Sequence, residues 1–448
     1  MAAIWLRNPA DILADGARGG IVVEGPWIKE LVPAGARPQE EVAVVIDASE
    51  HVVLPGLINV HHHLYQGLAG GAGAGLAEAR EGWLRAHMGR WARLDGAALR
   101  LAARRALVQL AKGGCTTVVD HQDALPAGLD DAVDIVVEAA RDVGLRLVVA
   151  VGGQDLAVEE GGSLPASQTC SAEAILEACT RAIRRHHQPA PGAMTQVALG
   201  PASPLAASRW LFEEMAALAS LHDVRLHTHL AATADEASRC RQRFHAGLVD
   251  YLDAVGWLQP RTWLAHAAHL PAPDHGRLRE QGLAVAYCPS AELMRGAGVA
   301  PTAAMARMGL PIGLGSDGIA GGDDGTFKAE LRLALLSQRG ARGAAALDPR
   351  RVLHWATAGG ADCLGRTDIG RLAPGCAADL ALYRLDPWHA DGTDDPLSAL
   401  VASGLPPADR VMVAGRWVVV DRALAALDEA ALAATLDAER RRLHAHIA

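Results

Sequence analysis

The chain has 448 residues, half of them hydrophobic and 21% charged, with a formal net charge of -9. That length exceeds one compact core and predicts a large domain with a smaller companion, and the acidic balance, with no stretch rich in Lys and Arg, argues against a nucleic-acid surface. The opening MAAIWLRNPADIL has neither the basic head nor the apolar run of a signal peptide, and no run of about 20 apolar residues follows anywhere, so a cytoplasmic location without a membrane partner is expected.

Residues 1 to 55 read as short strands joined by turns: IWLRN, GGIVVEG, WIKELV and EEVAVVIDA. After Pro55 and Gly56 the texture changes to apolar runs of four to seven residues alternating with Ala- and Leu-rich amphipathic helices, the signature of βα units and a parallel sheet. The candidate strands are GLINV, TTVVD, RLVVAV, TQVALG, VRLHTH, TWLAHA, LAVAYC and PIGLGS. Eight such runs predict an α/β protein with a closed (β/α)8 TIM-type barrel. A doubly wound sheet would want a Gly-rich phosphate turn after its first strand, and LINVHHH has none; Gly70 to Gly75 read as a flexible segment.

The tail returns to β character in DLALYRLD and DRVMVAGRWVVVD, which are expected to join the N-terminal strands in a small β-sandwich domain. The predicted division is 1–55 with 366–425 for the sandwich, 56–365 for the barrel, and 426–448 for a C-terminal helix with acidic residues early and basic ones late. The seven cysteines are odd in number, scattered and without a C-x-x-C pair, so reduced, mostly buried thiols are expected.

The strand ends carry the chemistry. Side chains at i and i+2 of a strand share a face, so His61 and His63 at the end of HVVLPGLINVHHH point together while His62 faces elsewhere. Three later apolar runs also stop at polar groups: VRLHTHLAA with His227 and His229, TWLAHAAHL with His266 and His269, and PIGLGSDG with Asp317. Zinc and similar divalent metals favour imidazole plus carboxylate, and a catalytic site leaves one position for water. His61, His63, His229 and Asp317 could supply that shell, at the barrel face where active sites lie. Only Lys29, Lys112 and Lys328 are present, none at the end of a central strand, which predicts one metal rather than two bridged by a modified lysine.

The ordered motifs PGLIN-x-H-x-H, HTHLA, LAH, G-x-G-S-D-G, APG-x-x-ADL and DRVMVAGRWVVVD resemble the amidohydrolase superfamily over nearly the whole chain. HHHLYQ, Trp83 and Trp91, GLVDYLDAVGWL and DDPLSAL are most similar to its 8-oxoguanine deaminase and s-triazine hydrolase branches. The resemblance implies one divalent metal, zinc or iron, on His61, His63, His229 and Asp317, with His266 holding the attacking water or substrate and Asp317 taking its proton. It implies that Gln66 contacts a heterocyclic small-molecule substrate, and that the protein is a homo-oligomer.

The sequence departs from that pattern in four places. Where these deaminases carry H-x-x-E, this chain has Ala232 after His229, and a methyl group carries no proton. Glu292 replaces a usual amide, Cys376 replaces a usual lysine in APG-x-x-ADL, and VAVGGQD lacks an arginine carried by 8-oxoguanine deaminases. Glu292 or Asp123 is the candidate replacement for the missing acid, with Asp235, Glu236, Asp323 and Asp324 as further carboxylates near the predicted cavity. The expected function is hydrolytic deamination of a purine-, pterin- or triazine-like ring. The alternatives are hydrolysis of a cyclic amide or another leaving group, and an inactive binding protein derived from a deaminase.

Overall fold

The computed structural model describes residues 2–68, 82–83, 87, 91–124, 128–318, 325–384 and 394–445. The glycine run at 70–75, Asp323 and Asp324 lie outside them.

Eight parallel strands close into a barrel: Leu57–Asn59, Cys115–Gln122, Arg146–Val151, Thr195–Leu199, Arg225–Leu230, Thr262–His266, Ala284–Tyr287 and Ile312–Leu314. Each falls on one of the apolar runs above, and seven of the eight are buried at every or nearly every residue, as expected when helices cover one face and the barrel interior the other. Several of the intervening helices begin at side-chain caps: Asp95 accepts from Ala98 N–H, Ser171 from Ala174 N–H and Ser208 from Leu211 N–H. The helix Ala132–Val143 stops at Gly144, whose φ of 91° suits a residue without a Cβ.

Two further sheets come from the chain's two ends. Trp27–Val32, Gly20–Glu24, Ile4–Arg7 and Val44–Asp47 form one, in that order. The other runs Ala423–Leu424, Arg416–Val420, Arg410–Val413, Leu380–Arg384, His51–Pro55 and Asp11–Ile12, so two N-terminal strands join the tail's sheet, His51–Pro55 pairing with Leu380–Arg384 and Asp11–Ile12 with His51–Pro55. Leu6, Ile21, Val23 and Ile28 from the first sheet pack on Val53, Leu380, Leu382 and Met412 from the second in a single apolar cluster. Glu429–Ala445 is helical. All seven cysteines are unpaired, and among the described residues no helix is long and apolar enough to cross a membrane.

Candidate metal centre and active site

His61, His63, His229, His266 and Asp317 converge at the C-terminal rim of the barrel, all buried. Asp317 Oδ1 lies 2.9 Å from His61 Nε2, 3.4 Å from His63 Nε2, and 3.9 Å from the Nε2 atoms of both His229 and His266. Metal–nitrogen bonds of about 2.0–2.1 Å in a tetrahedral shell put neighbouring ligands about 3.4 Å apart, within the observed spread. The rim is reached through backbone turns that L-residues seldom adopt: φ is positive at Ala231, His266, Ala267 and Asp317, at or just beyond the ends of three of the strands.

The hydrogen bonds behind the imidazoles decide what faces inward. His227 Nδ1–H donates to Trp263 O at 3.0 Å, so its Nε2 must accept, and it accepts from His61 Nδ1 at 2.8 Å. A neutral His61 then has its proton on Nδ1 and presents a lone pair at Nε2. His229 Nδ1 is likewise committed to Ala202 O at 2.7 Å, and His63 Nδ1 to His121 O at 2.7 Å and Asp123 Oδ1 at 3.1 Å. The Nε2 atoms of all three therefore aim at one carboxylate oxygen, and a cation between them would be bonded by each ring once it gives up any proton at Nε2. The donor chemistry fits a divalent metal.

Charge at the centre follows the same logic. Burial opposes charge on His63, but Asp123 and Asp317 flank it and push it up to about 10, so the carboxylates favour positive charge there. Burial holds His61 down to about 3. Asp317 is buried too, yet His61, His63, His266 and Arg295 hold it well below the usual carboxylate range. Arg295 Nη1 grips Asp317 Oδ2 at 3.0 Å and stacks 4.0 Å from the Trp83 ring, leaving Oδ1 to the histidines.

The remaining candidates are distributed around this core. His62 points away and meets Ser316 Oγ at 2.9 Å. Glu292 sits behind His266, its Oε1 3.8 Å from Nδ1, while its Oε2 accepts from Ala300 N–H. Asp123 sits behind His63 and accepts from Tyr65 OH at 3.1 Å. Both carboxylates thus address the rear nitrogens of histidines. Gln66 is buried with no hydrogen-bond partner for Oε1 among the described residues; that oxygen lies beside Gly318, where a Cβ would come within 2.2 Å of it. Among the described residues neither ring nitrogen of His266 has a hydrogen-bond partner. Cys376 is in the small sheets' core, remote from this rim.

Three contributors escape sequence reasoning, His121, Arg295 and Tyr65, and a fourth, His227, is named in the sequence beside His229 without a role of its own. Its i−2 spacing from His229 puts both on the inner face. A cavity of about 350 Å³ opens beside His229, walled also by Tyr65, Trp91, Asp123, Gln154, Ala232 and Glu236. That volume suits a one- or two-ring ligand.

The sequence matches the amidohydrolase family over residues 52–418. It is 46% identical over 437 residues to the 8-oxoguanine deaminase of Pseudomonas aeruginosa, covering 97% of each chain. It is 33% identical to an isoxanthopterin deaminase from an unknown prokaryotic organism, over 94% of this chain and 93% of that one. The crystal structure of atrazine chlorohydrolase from Arthrobacter aurescens TC1 complexed with zinc superimposes with a TM-score of 0.91 at 30% identity, over 98% of this chain and 100% of that one.

Proposed function

This chain belongs to the amidohydrolase family, and we propose that it hydrolyses an exocyclic C–N bond of a purine-, pterin- or triazine-like ring, using one zinc ion on His61, His63, His229 and Asp317. The observation that carries the reading is the convergence of three committed imidazoles on Asp317 Oδ1 beside a cavity of ring size. A divalent ion held there would lower the pKa of water toward neutrality.

The chain's own groups do the rest. Asp317 Oδ1 is placed to take a proton from the attacking water. His266, whose Nε2 has no hydrogen-bond partner among the described residues, holds the water or the substrate's polar edge, and Glu292, 3.8 Å behind its Nδ1, faces the rear of the ring. Gln66 offers an unpaired amide oxygen to a ring N–H. Metal analysis with an ammonia-release screen tests the proposal, beginning with 8-oxoguanine, isoxanthopterin and amino-triazines. One zinc per chain and ammonia from at least one ring are expected; bound zinc with ammonia from none of them would sink deamination.

Ala232 favours a second reading, in which the leaving group needs less help from a proton donor. Displacement of another substituent, or opening of a cyclic amide, is then the reaction. Product mass spectrometry separates these outcomes, because ring opening adds water without loss of ammonia.

His227 provides a prediction about the shell alone. His227→Phe keeps a ring stacked on Trp263, now 4.3 Å away, but removes the acceptor for His61 Nδ1–H. Zinc affinity, measured by competition with a chromogenic chelator, is expected to fall about 10- to 100-fold. Unchanged affinity would mean that the His227 contact does not orient His61.

A further inference from the structure

Adding water across a ring C=N bond requires a proton at the ring nitrogen as well as a base for the water, and Asp317 accounts for the base alone. The second carrier has to face the cavity. Glu292 is turned to His266 Nδ1 and Ala300 N–H, and Asp123, which also lines the cavity, sits on the His63 side, where its Oδ1 is engaged by His63 and Tyr65. Glu236 meets the requirement. It opens the helix Glu236–Phe244, is only 6% exposed, and lines the same cavity as His229. Its Oε2 accepts from Ala232 N–H at 2.9 Å, which fixes the carboxylate on the wall next to the His229 strand end, and Ala232 contributes only a methyl group there.

We propose that Glu236 is the catalytic proton shuttle of this site, standing in the space that a larger acidic side chain at position 232 would occupy. The inference rests on the deamination reading. The water oxygen bonds to the ring carbon as one of its protons passes to Glu236 and the C=N π pair moves to the ring nitrogen. Glu236 gives that proton to the nitrogen. The second water proton goes through Asp317 to the amino group, the C–N bond breaks with its electron pair on nitrogen, ammonia departs and the C=O bond forms. Both carboxylates end as they began.

Glu236→Gln tests this without removing the structural contact, since an amide oxygen still accepts from Ala232 N–H. On the ring that wild type deaminates, kcat is expected to fall about 100- to 10,000-fold with KM changed less than about threefold and zinc content intact. The double change Ala232→Glu with Glu236→Gln is expected to recover much of the loss. The exposed neighbour serves as control: Asp235→Asn should leave kcat alone.

A second readout does not need turnover. An analogue of the same rings whose reacting carbon is already hydroxylated and sp3 carries the ring N–H that Glu236 would hold, and calorimetry should show at least about tenfold weaker binding to Glu236→Gln than to wild type. Turnover within about threefold of wild type, or equal analogue affinity, overturns the assignment. Absence of ammonia release by wild type overturns the deamination reading instead, and the analogue comparison still decides for or against Glu236.

Discussion

Asp317→Asn is expected to lower turnover by about 10,000-fold while leaving the fold intact. The substitution changes charge and little else. At φ 58° the residue occupies the left-handed region, which Asn tolerates well, so no backbone strain is added. What is lost is a carboxylate whose Oδ1 faces four imidazole nitrogens and whose Oδ2 holds Arg295. An amide supplies neither the negative charge for a cation nor a base for the water, and its NH2 group would oppose the guanidinium or the shell. Zinc content and kcat measured together check the result, and turnover within about tenfold of wild type would remove Asp317 from the chemistry.

The parts of this centre that the sequence displays are those fixed by chain periodicity. An apolar run buried in a parallel barrel ends where the chain meets the rim, so the residue after the run is delivered to the active face with no tertiary information. His61, His63, His229, His266 and Asp317 all stand at such ends, and strand alternation alone turns His62 away to Ser316. Groups that depend on where a loop returns are not legible in this way. Arg295 reaches Asp317 only because the short helix Pro289–Met294 folds back over the rim, and Glu236 reaches Ala232 only because its helix starts at that angle. Glu292 shows the reverse: its burial beside the site is legible, but its aim at the rear of His266 is set by Ala300, eight residues on. The sandwich is similar. Short strands at both ends are visible in the sequence, while the choice that most N-terminal strands pair among themselves depends on sheet packing.

The largest expected effect on stability lies at the opposite end of the barrel. Arg146 begins the third barrel strand, and its guanidinium forms a two-pronged pair with Asp379, Nε to Oδ2 at 2.7 Å and Nη2 to Oδ1 at 3.0 Å, with both side chains 2% exposed. Nη1 donates to Gly192 O and Ala193 O, and Asp379 Oδ1 also accepts from Ala414 N–H, so the pair ties the barrel to the tail sheet through Leu380–Arg384. Burial disfavours the charge on Arg146, but Asp379 and Asp368 raise its pKa, so the guanidinium does not escape by losing a proton. Asp379→Ala leaves that cation buried without its partner and is expected to cost about 3–5 kcal/mol in urea unfolding. Replacing both residues by apolar ones of similar size should cost much less than the two single changes added together. Because Arg146 and Asp317 lie at opposite ends of the strands, the two defects should separate: Asp379→Ala loses stability but keeps kcat per folded molecule, whereas Asp317→Asn keeps the fold and loses kcat. If Asp379→Ala unfolds within about 1 kcal/mol of wild type, the buried pair is not what joins the small sheets to the barrel.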